Sequence, residues 1–138
     1  MGSDRERIAT CCCGGFSATA REEPAHVYAC SCLACQRGSG SAFSYAAIYP
    51  EDAVTVAGRA SYYLQRGDSG RLTESSFCPV CGVTVCFRAK AMPGMIGIAA
   101  GCFADPDLPK PERLYWASQR HHWLDLGEDV PLENTQPG

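Results

Sequence analysis

The chain has 138 residues, of which 12 are Lys or Arg and 15 are Asp or Glu, giving a formal net charge of −3. This length predicts one domain, and the acidic balance argues against a nucleic-acid partner because phosphate binding favours a basic face. No stretch approaches the roughly 20 apolar residues of a membrane span, and the charged first residues lack the apolar segment of a secretory signal. We therefore expect a cytoplasmic protein with no membrane partner.

Apolar and polar residues alternate along much of the chain, which predicts a mainly β fold. A short helical turn is expected over residues 33–37, a hairpin turn over 66–71, and a loop over the proline-rich residues 105–112. We expect one domain over residues 1–138, with an ordered core over 9–132 and frayed ends. The predicted strands cover residues 16–22, 26–30, 42–49, 53–58, 61–67, 71–78, 83–89, 95–103 and 113–117.

Ten cysteines are many for a cytoplasmic chain. Reducing conditions disfavour disulfides there, so metal ligation is the favoured interpretation. A disulfide framework stays open as an alternative, because the compartment is inferred only from a missing signal. Seven of the cysteines form three motifs, which are Cys11-x-Cys13, Cys30-x-Cys32-x-x-Cys35 and Cys78-x-x-Cys81-Gly82.

The Cys78–Cys81 motif has the spacing of a zinc knuckle, in which a tight turn directs two thiolates at one ion. Gly82 permits that turn. Two further ligands are needed, and Cys11 and Cys13 can supply them, because alternate residues of a strand project to the same side. We therefore predict a closed, structural four-cysteine zinc site that stabilises a single zinc-binding domain.

Cys30, Cys32 and Cys35 remain as a second site. Three protein ligands and one exchangeable position are the usual arrangement of catalytic zinc. An open zinc ion is a Lewis acid, and three thiolates favour a soft incoming ligand such as another thiolate. Spacing alone leaves open the alternative that the tetrahedron is closed by a histidine or by Cys12, Cys86 or Cys102.

The remaining cysteines have simpler interpretations. Cys86 lies in a predicted strand and is expected to be a core thiol. Cys102 is expected in the core or at a pocket wall. Cys12 alternates with two predicted ligands and should point away from them.

With their neighbours, the three motifs resemble the glutathione-dependent formaldehyde-activating enzyme family, a group that includes centromere protein V. The motifs are "CCCG" at 11–14, "CSCLACQRGSGS" at 30–41 and "FCPVCG" at 77–82. The segments "AGCFADP" at 100–106 and "SQRHHW" at 118–123 extend the resemblance over roughly residues 9–132. Gln36 stands where the family often has arginine.

This resemblance implies an Mss4-like fold, a β-tent of folded antiparallel sheets stapled by zinc. It implies a structural zinc on Cys11, Cys13, Cys78 and Cys81 and a catalytic zinc on Cys30, Cys32 and Cys35. We expect the catalytic zinc to be labile, because one of its ligands is exchangeable. It also implies a carbon–sulfur lyase-type reaction with glutathione as co-substrate, giving S-hydroxymethylglutathione from glutathione and formaldehyde. The expected partner is thus a small thiol or aldehyde.

Arg37, Ser39 and Gly40 directly follow the second cysteine motif and are candidates for holding a substrate carboxylate. An exposed surface charge is the simpler alternative for Arg37. His121 and His122 are acid–base candidates by their ordinary pKa, with a solvated or packing role as the alternative.

Two functions of different classes follow. One is the zinc-dependent enzyme. The other is a non-catalytic binding module in which both metal sites are structural, since a fold does not fix a function. A fourth protein ligand at the second site would favour the binding module, and an open position would favour the enzyme.

Overall fold

The computed structural model describes residues 6–66 and 72–134. Within these ranges the chain forms ten β-strands and one α-helix. The strands are β1 (Arg7–Thr10), β2 (Phe16–Ala20), β3 (His26–Cys30), β4 (Ser44–Pro50), β5 (Val54–Gly58), β6 (Ser61–Arg66), β7 (Leu72–Phe77), β8 (Thr84–Ala89), β9 (Met95–Ala99) and β10 (Leu114–Tyr115), and the helix is α1 (Leu33–Ser39).

The strands form two sheets, with the strand orders β1-β2-β5 and β10-β3-β4-β9-β8-β7-β6. Neighbouring strands are antiparallel, except that β10 lies parallel to β3. The mainly β fold predicted from the alternation is therefore confirmed. In the described ranges, no helix has the length and apolar character needed to cross a bilayer.

The main core joins the two sheets. Strand β2 alternates buried and half-buried residues, and its inward side chains Phe16 and Ala18 belong to one cluster with Val85 of β8 and Ile98 of β9. A sheet that covers a core with one face requires this two-residue period. The smaller sheet is thus held against the larger one by apolar packing.

Strand β4 is buried on both faces. Its four consecutive buried residues point alternately to the two faces of the sheet. Ala47 joins the main core, whereas Ile48 joins a smaller apolar group on the opposite face. This smaller apolar group contains Cys30 of β3, and Trp116 packs against it. Because successive strand residues point to opposite faces, β3 directs Cys30 away from the main core.

The helical turn predicted over 33–37 is confirmed as the first part of α1. The strand predicted over 95–103 ends at Ala99. A 3₁₀ turn over Ala100–Phe103 follows it, and Ala104 after that turn has a φ of 48°. The strand predicted over 113–117 has only two residues, since Trp116 adopts a φ of 54°. The turn predicted over 66–71 falls largely outside the described residues, although the flanking strands β6 and β7 pair antiparallel.

Strand β1 was not predicted, because charged residues in and before it interrupt the alternation of apolar and polar residues. Its Arg7 side chain is only 4% exposed and bonds Glu23 and Asp105, each at 2.9 Å. A buried guanidinium requires such partners. This pair of contacts attaches β1 to the loops that follow β2 and the 3₁₀ turn.

We expect Arg7→Met to lower the free energy of unfolding by about 3 kcal/mol, because it leaves two carboxylates without their cation in a partly buried place. Urea denaturation measures the change. Lys110→Met is the matched control: it breaks an ion pair with Asp129 whose side chains are 57% and 69% exposed, so its cost should stay below about 1 kcal/mol. Equal urea midpoints for the two variants would show that the buried contacts do not stabilise the fold.

Candidate metal centres

The first cysteine cluster lies where two turns from different sheets meet. Cys11 and Cys13 belong to the turn between β1 and β2, and Cys78 and Cys81 belong to the turn between β7 and β8. All four sulfur atoms lie within 4.8 Å of one another. The Sγ atom of Cys13 lies 3.7 Å from that of Cys11 and 3.6 Å from that of Cys78.

These distances fit a zinc ion. Four sulfurs at about 2.3 Å from zinc stand about 3.8 Å apart in a tetrahedron, whereas a disulfide would need about 2.05 Å. All ten cysteines lie in the described ranges, and none of them forms a disulfide. The first cluster therefore provides a complete tetrahedral donor set, with no position left for another ligand.

Backbone N–H groups support the sulfurs of this cluster. The N–H of Phe16 donates to Cys11 Sγ at 3.3 Å, and that of Val80 donates to Cys78 Sγ at 3.4 Å. The pKa of the Cys81 thiol is lowered to about 6, chiefly by the backbone N–H of Val83. Such bonds favour the thiolate, which is the form that binds a metal.

The local geometry of Cys11 and Cys13 differs from the expectation. They were predicted to share one side of a strand, but β1 ends at Thr10 and the N–H of Gly14 donates to the Cys11 carbonyl, closing a turn. Gly58 allows strand β5 to approach this turn: its φ is 96°, and a Cβ there would lie 2.0 Å from the Gly15 carbonyl oxygen. A turn, and not a strand, therefore brings both sulfurs into one cluster, with Cys11 buried and Cys13 exposed.

The second cluster is local. Cys30 ends β3 and is fully buried, Cys32 is the N-cap of α1, and Cys35 lies in the first turn of that helix. Their sulfur atoms lie within 4.8 Å of one another, and the N–H of Cys35 donates to Cys32 Sγ at 3.3 Å. Cys32 and Cys35 are half-buried, so the cluster is less enclosed on the side of α1.

Within the described ranges, no further Cys, His, Asp or Glu joins this second cluster. Cys86 is buried in the main core, on the opposite face of the sheet. Cys102 packs at the edge of that core, where its Sγ donates to the Thr84 carbonyl and burial raises its pKa to about 11. Cys12 is exposed in its turn, as predicted. The donor set is thus three thiols.

The three sulfurs influence one another strongly. Hydrogen bonds from Cys30 and then Cys35 lower the pKa of Cys32. The pKa of Cys30 is raised by its contacts with Cys32 and then Cys35, together with burial. Thiolates this close repel each other, so all three ionise together only beside a cation. A divalent metal ion would supply that charge, and soft thiolates favour zinc among the common divalent ions.

An open cleft of about 470 Å³ adjoins helix α1. Of the candidates for substrate binding, Arg37 and Gly40 line this cleft, whereas the Ser39 hydroxyl donates to the Phe43 carbonyl at 3.2 Å. The complete lining consists of Gln36, Arg37, Gly40, Ser41, Ala42, His121 and Trp123.

The two histidines separate in space. His121 lies in the cleft beside α1, and His122 lies in a different cleft formed by residues 120–132. The sequence analysis did not identify Gln36 as a residue that shapes the cleft. Its amide NH₂ donates to the Ser31 carbonyl at 2.7 Å and to the Gln119 carbonyl at 3.0 Å. No local pattern signals a contact between residues 83 positions apart.

Comparisons with known proteins agree with this architecture. The model of the family described as glutathione-dependent formaldehyde-activating enzyme matches residues 6–119. A crystal structure of a Rhodobacter sphaeroides protein is similar, with a TM-score of 0.55 and 20% sequence identity over 91% of this chain and 98% of that chain. At that identity the similarity shows the fold alone. A comparison with curated proteins found no match.

We expect the two clusters to respond differently to the loss of one thiol. Cys78→Ser should lower the zinc content by one ion per chain and unfold the protein or greatly reduce its urea midpoint, because the first cluster joins two sheets. Cys32→Ser should lose one zinc ion but stay folded, since all three cysteines of the second cluster lie within β3 and α1. Metal analysis and circular dichroism measure both effects.

Cys102→Ser is the control, and it should keep both zinc ions because Cys102 belongs to neither cluster. Unfolding of Cys32→Ser as well as Cys78→Ser would contradict the expected difference and make both clusters structural.

Proposed function

The chain belongs to the glutathione-dependent formaldehyde-activating enzyme family, and we propose that it is a zinc-dependent enzyme of the carbon–sulfur lyase type that adds a thiol to a small aldehyde. The observation that carries the proposal is the three-thiol donor set of Cys30, Cys32 and Cys35 in the described ranges. Structural zinc usually takes four protein ligands, and catalytic zinc takes three with one position open for a reactant.

Cys30, Cys32 and Cys35 would hold the metal. When bound there, zinc supplies a Lewis acid that lowers the pKa of a coordinating thiol. Buried Cys30 anchors the set to the central sheet, while half-buried Cys32 and Cys35 lie on the side that a substrate can reach. The backbone N–H of Cys35 that donates to Cys32 Sγ keeps this sulfur oriented at the helix start.

The proposed reaction is an addition without oxidation or reduction. The sulfur of glutathione attacks the carbonyl carbon of formaldehyde and forms one carbon–sulfur bond. The carbonyl π bond breaks, its electron pair moves to the oxygen, and the C–O single bond of an alcohol remains. The thiol proton ends on the new hydroxyl oxygen, so the product is S-hydroxymethylglutathione. In the reverse direction the same carbon–sulfur bond breaks.

The last turn of α1 offers the means to hold an anionic substrate. Arg37 is exposed, lines the cleft and follows Cys35 by two positions, so its guanidinium can bind a carboxylate with charge-assisted hydrogen bonds. Gly40 leaves the end of the helix uncrowded, with nothing within 4 Å of a Cβ placed there. Ser39 would act indirectly, by holding the loop that ends at Phe43, just before β4.

The proposed site of action is the cytoplasm. Ten cysteines without a disulfide favour a reducing compartment, and the cytosol keeps glutathione reduced.

We expect the zinc-loaded protein to accelerate the interconversion of free formaldehyde and S-hydroxymethylglutathione. Exchange NMR with ¹³C-formaldehyde measures this rate at equilibrium. Cys35→Ser should lower the acceleration at least about 100-fold, because it removes one of three ligands. Cys102→Ser should keep the wild-type rate. The absorption spectrum of the cobalt-substituted protein should shift when glutathione is added.

Two results would contradict the proposal that the protein is an enzyme. One is that no thiol and aldehyde pair reacts faster with the protein than without it, and the other is that no thiol changes the cobalt spectrum. Together they would favour a binding module in which both metal sites are structural.

We expect Arg37→Met to raise KM for glutathione about tenfold with little change in kcat, since a carboxylate contact distant from the reacting atoms contributes equally to the ground and transition states. Arg113→Met is the matched control, because Arg113 pairs with Glu133 outside the cleft. Equal KM values for the two variants would remove Arg37 from the binding site.

A further inference from the structure

We propose that Gln36 fixes the tautomer of His121, and that the cleft around this pair recognises the amino-acid end of a peptide thiol, an N–H donor beside a carboxylate. The inference rests on the proposed function, because the thiol of the same molecule is taken to react at the second cysteine cluster. It adds a binding role for two residues that the sequence did not connect.

The orientation of the Gln36 amide follows from its partners. Its nitrogen lies 2.7 Å from the Ser31 carbonyl oxygen and 3.0 Å from the Gln119 carbonyl oxygen. Carbonyl oxygens only accept hydrogen bonds, so the reversed amide would place its own oxygen against two acceptors. The Gln36 Oε1 atom must therefore face the other way, toward His121.

That orientation decides which nitrogen of His121 is protonated. The Nε2 atom lies 3.1 Å from Gln36 Oε1, which can only accept, so Nε2 carries the hydrogen. In a neutral imidazole the other nitrogen, Nδ1, then holds a lone pair. Across residues 6–66 and 72–134, the structure gives this Nδ1 no hydrogen-bond donor.

The ring of His121 is also held in place on its other side. Trp123 packs against it edge to face, with ring centroids 5.6 Å apart and an interplanar angle of 73°. Aromatic pairs favour this geometry. The Gln36 hydrogen bond and the Trp123 contact together preorganise an acceptor in the cleft, although the histidine itself is exposed.

The cleft thus offers three different contacts to a ligand: the Arg37 guanidinium, the Nδ1 acceptor of His121 and the indole of Trp123. A guanidinium binds a carboxylate, and an acceptor binds an N–H or O–H donor. An amino-acid group carries both an ammonium and a carboxylate on one carbon, and its aliphatic stem can cover the indole.

The position of the cleft sets the length of the ligand. Cys32, Gln36 and Gly40 follow at four-residue intervals along α1, so they share one face of the helix. The cleft therefore begins about 5 Å, one helical turn, beyond Cys32. An amino-acid group located one to two turns from the reacting sulfur fits this spacing, as in a γ-glutamyl peptide, whereas the amino group of free cysteine lies too close to its own sulfur.

The first test measures the tautomer without using activity. Long-range ¹H–¹⁵N NMR of the zinc-loaded, ¹⁵N-histidine-labelled protein distinguishes a protonated Nε2 from a protonated Nδ1, and His121→Phe assigns the signal. We expect the Nε2–H form in the wild type and a mixture of both forms in Gln36→Leu. A wild-type His121 that is protonated on Nδ1 would overturn the inference whatever the enzyme does.

The second test compares glutathione with its desamino analogue, glutaryl-cysteinylglycine, which lacks only the ammonium group. The wild type should bind glutathione about tenfold more tightly, since a hydrogen bond with a charged group has a strength of that order. His121→Phe keeps a ring against Trp123 but should bind both peptides equally. His122→Phe is the matched control and should keep the full preference, because His122 lies in the other cleft.

The outcomes separate the two proposals. If both peptides bind and react but the preference is absent from the wild type or survives in His121→Phe, the inference is wrong and the proposed function stands. If neither peptide binds or reacts with the wild type, the proposed function fails and the inference fails with it.

Discussion

The contact on which the rest of the structure depends is the meeting of two turns at the first cysteine cluster. Cys13 and Cys78 are 65 positions apart, and their sulfurs lie 3.6 Å from each other. Four thiolates at such distances repel strongly unless a cation lies among them. Metal binding at this point would therefore favour the contact between the smaller sheet and the larger one, in addition to the apolar packing around Phe16.

Both clusters consist of cysteine sulfur atoms, but they differ in which parts of the fold supply them. The first draws its ligands from both sheets, whereas the second uses the last residue of β3 and the first turn of α1. Strand β3 directs Cys30 away from the main core, so the second cysteine cluster makes no link between the two sheets. With metal bound at both clusters, this separation would allow an exchangeable ligand position at the second, because the first would stabilise the fold independently.

The surroundings of the second cluster depend on a segment that is distant in sequence. The N–H of Leu33 donates to the Gln119 side chain, and Gln36 bonds the Gln119 carbonyl, so residues near 119 are held against the start of α1. His121 and Trp123 follow this anchor and form one wall of the cleft. Glutamine at position 36 thus supplies both donors and an acceptor, which an arginine could not do because a guanidinium has no acceptor.

The sequence by itself determined which cysteines group together and that the fold is mainly β, because thiols two or three positions apart can reach the same point and a two-residue period describes a one-sided sheet. The tertiary structure alone decided that charged Arg7 is buried, since its partner Asp105 lies 98 positions away. It also placed Cys11 and Cys13 in a turn rather than a strand, and brought His121 to Gln36 across 85 positions. Local periodicity describes a residue's immediate neighbours, whereas these contacts exist only because packed sheets bring distant segments together.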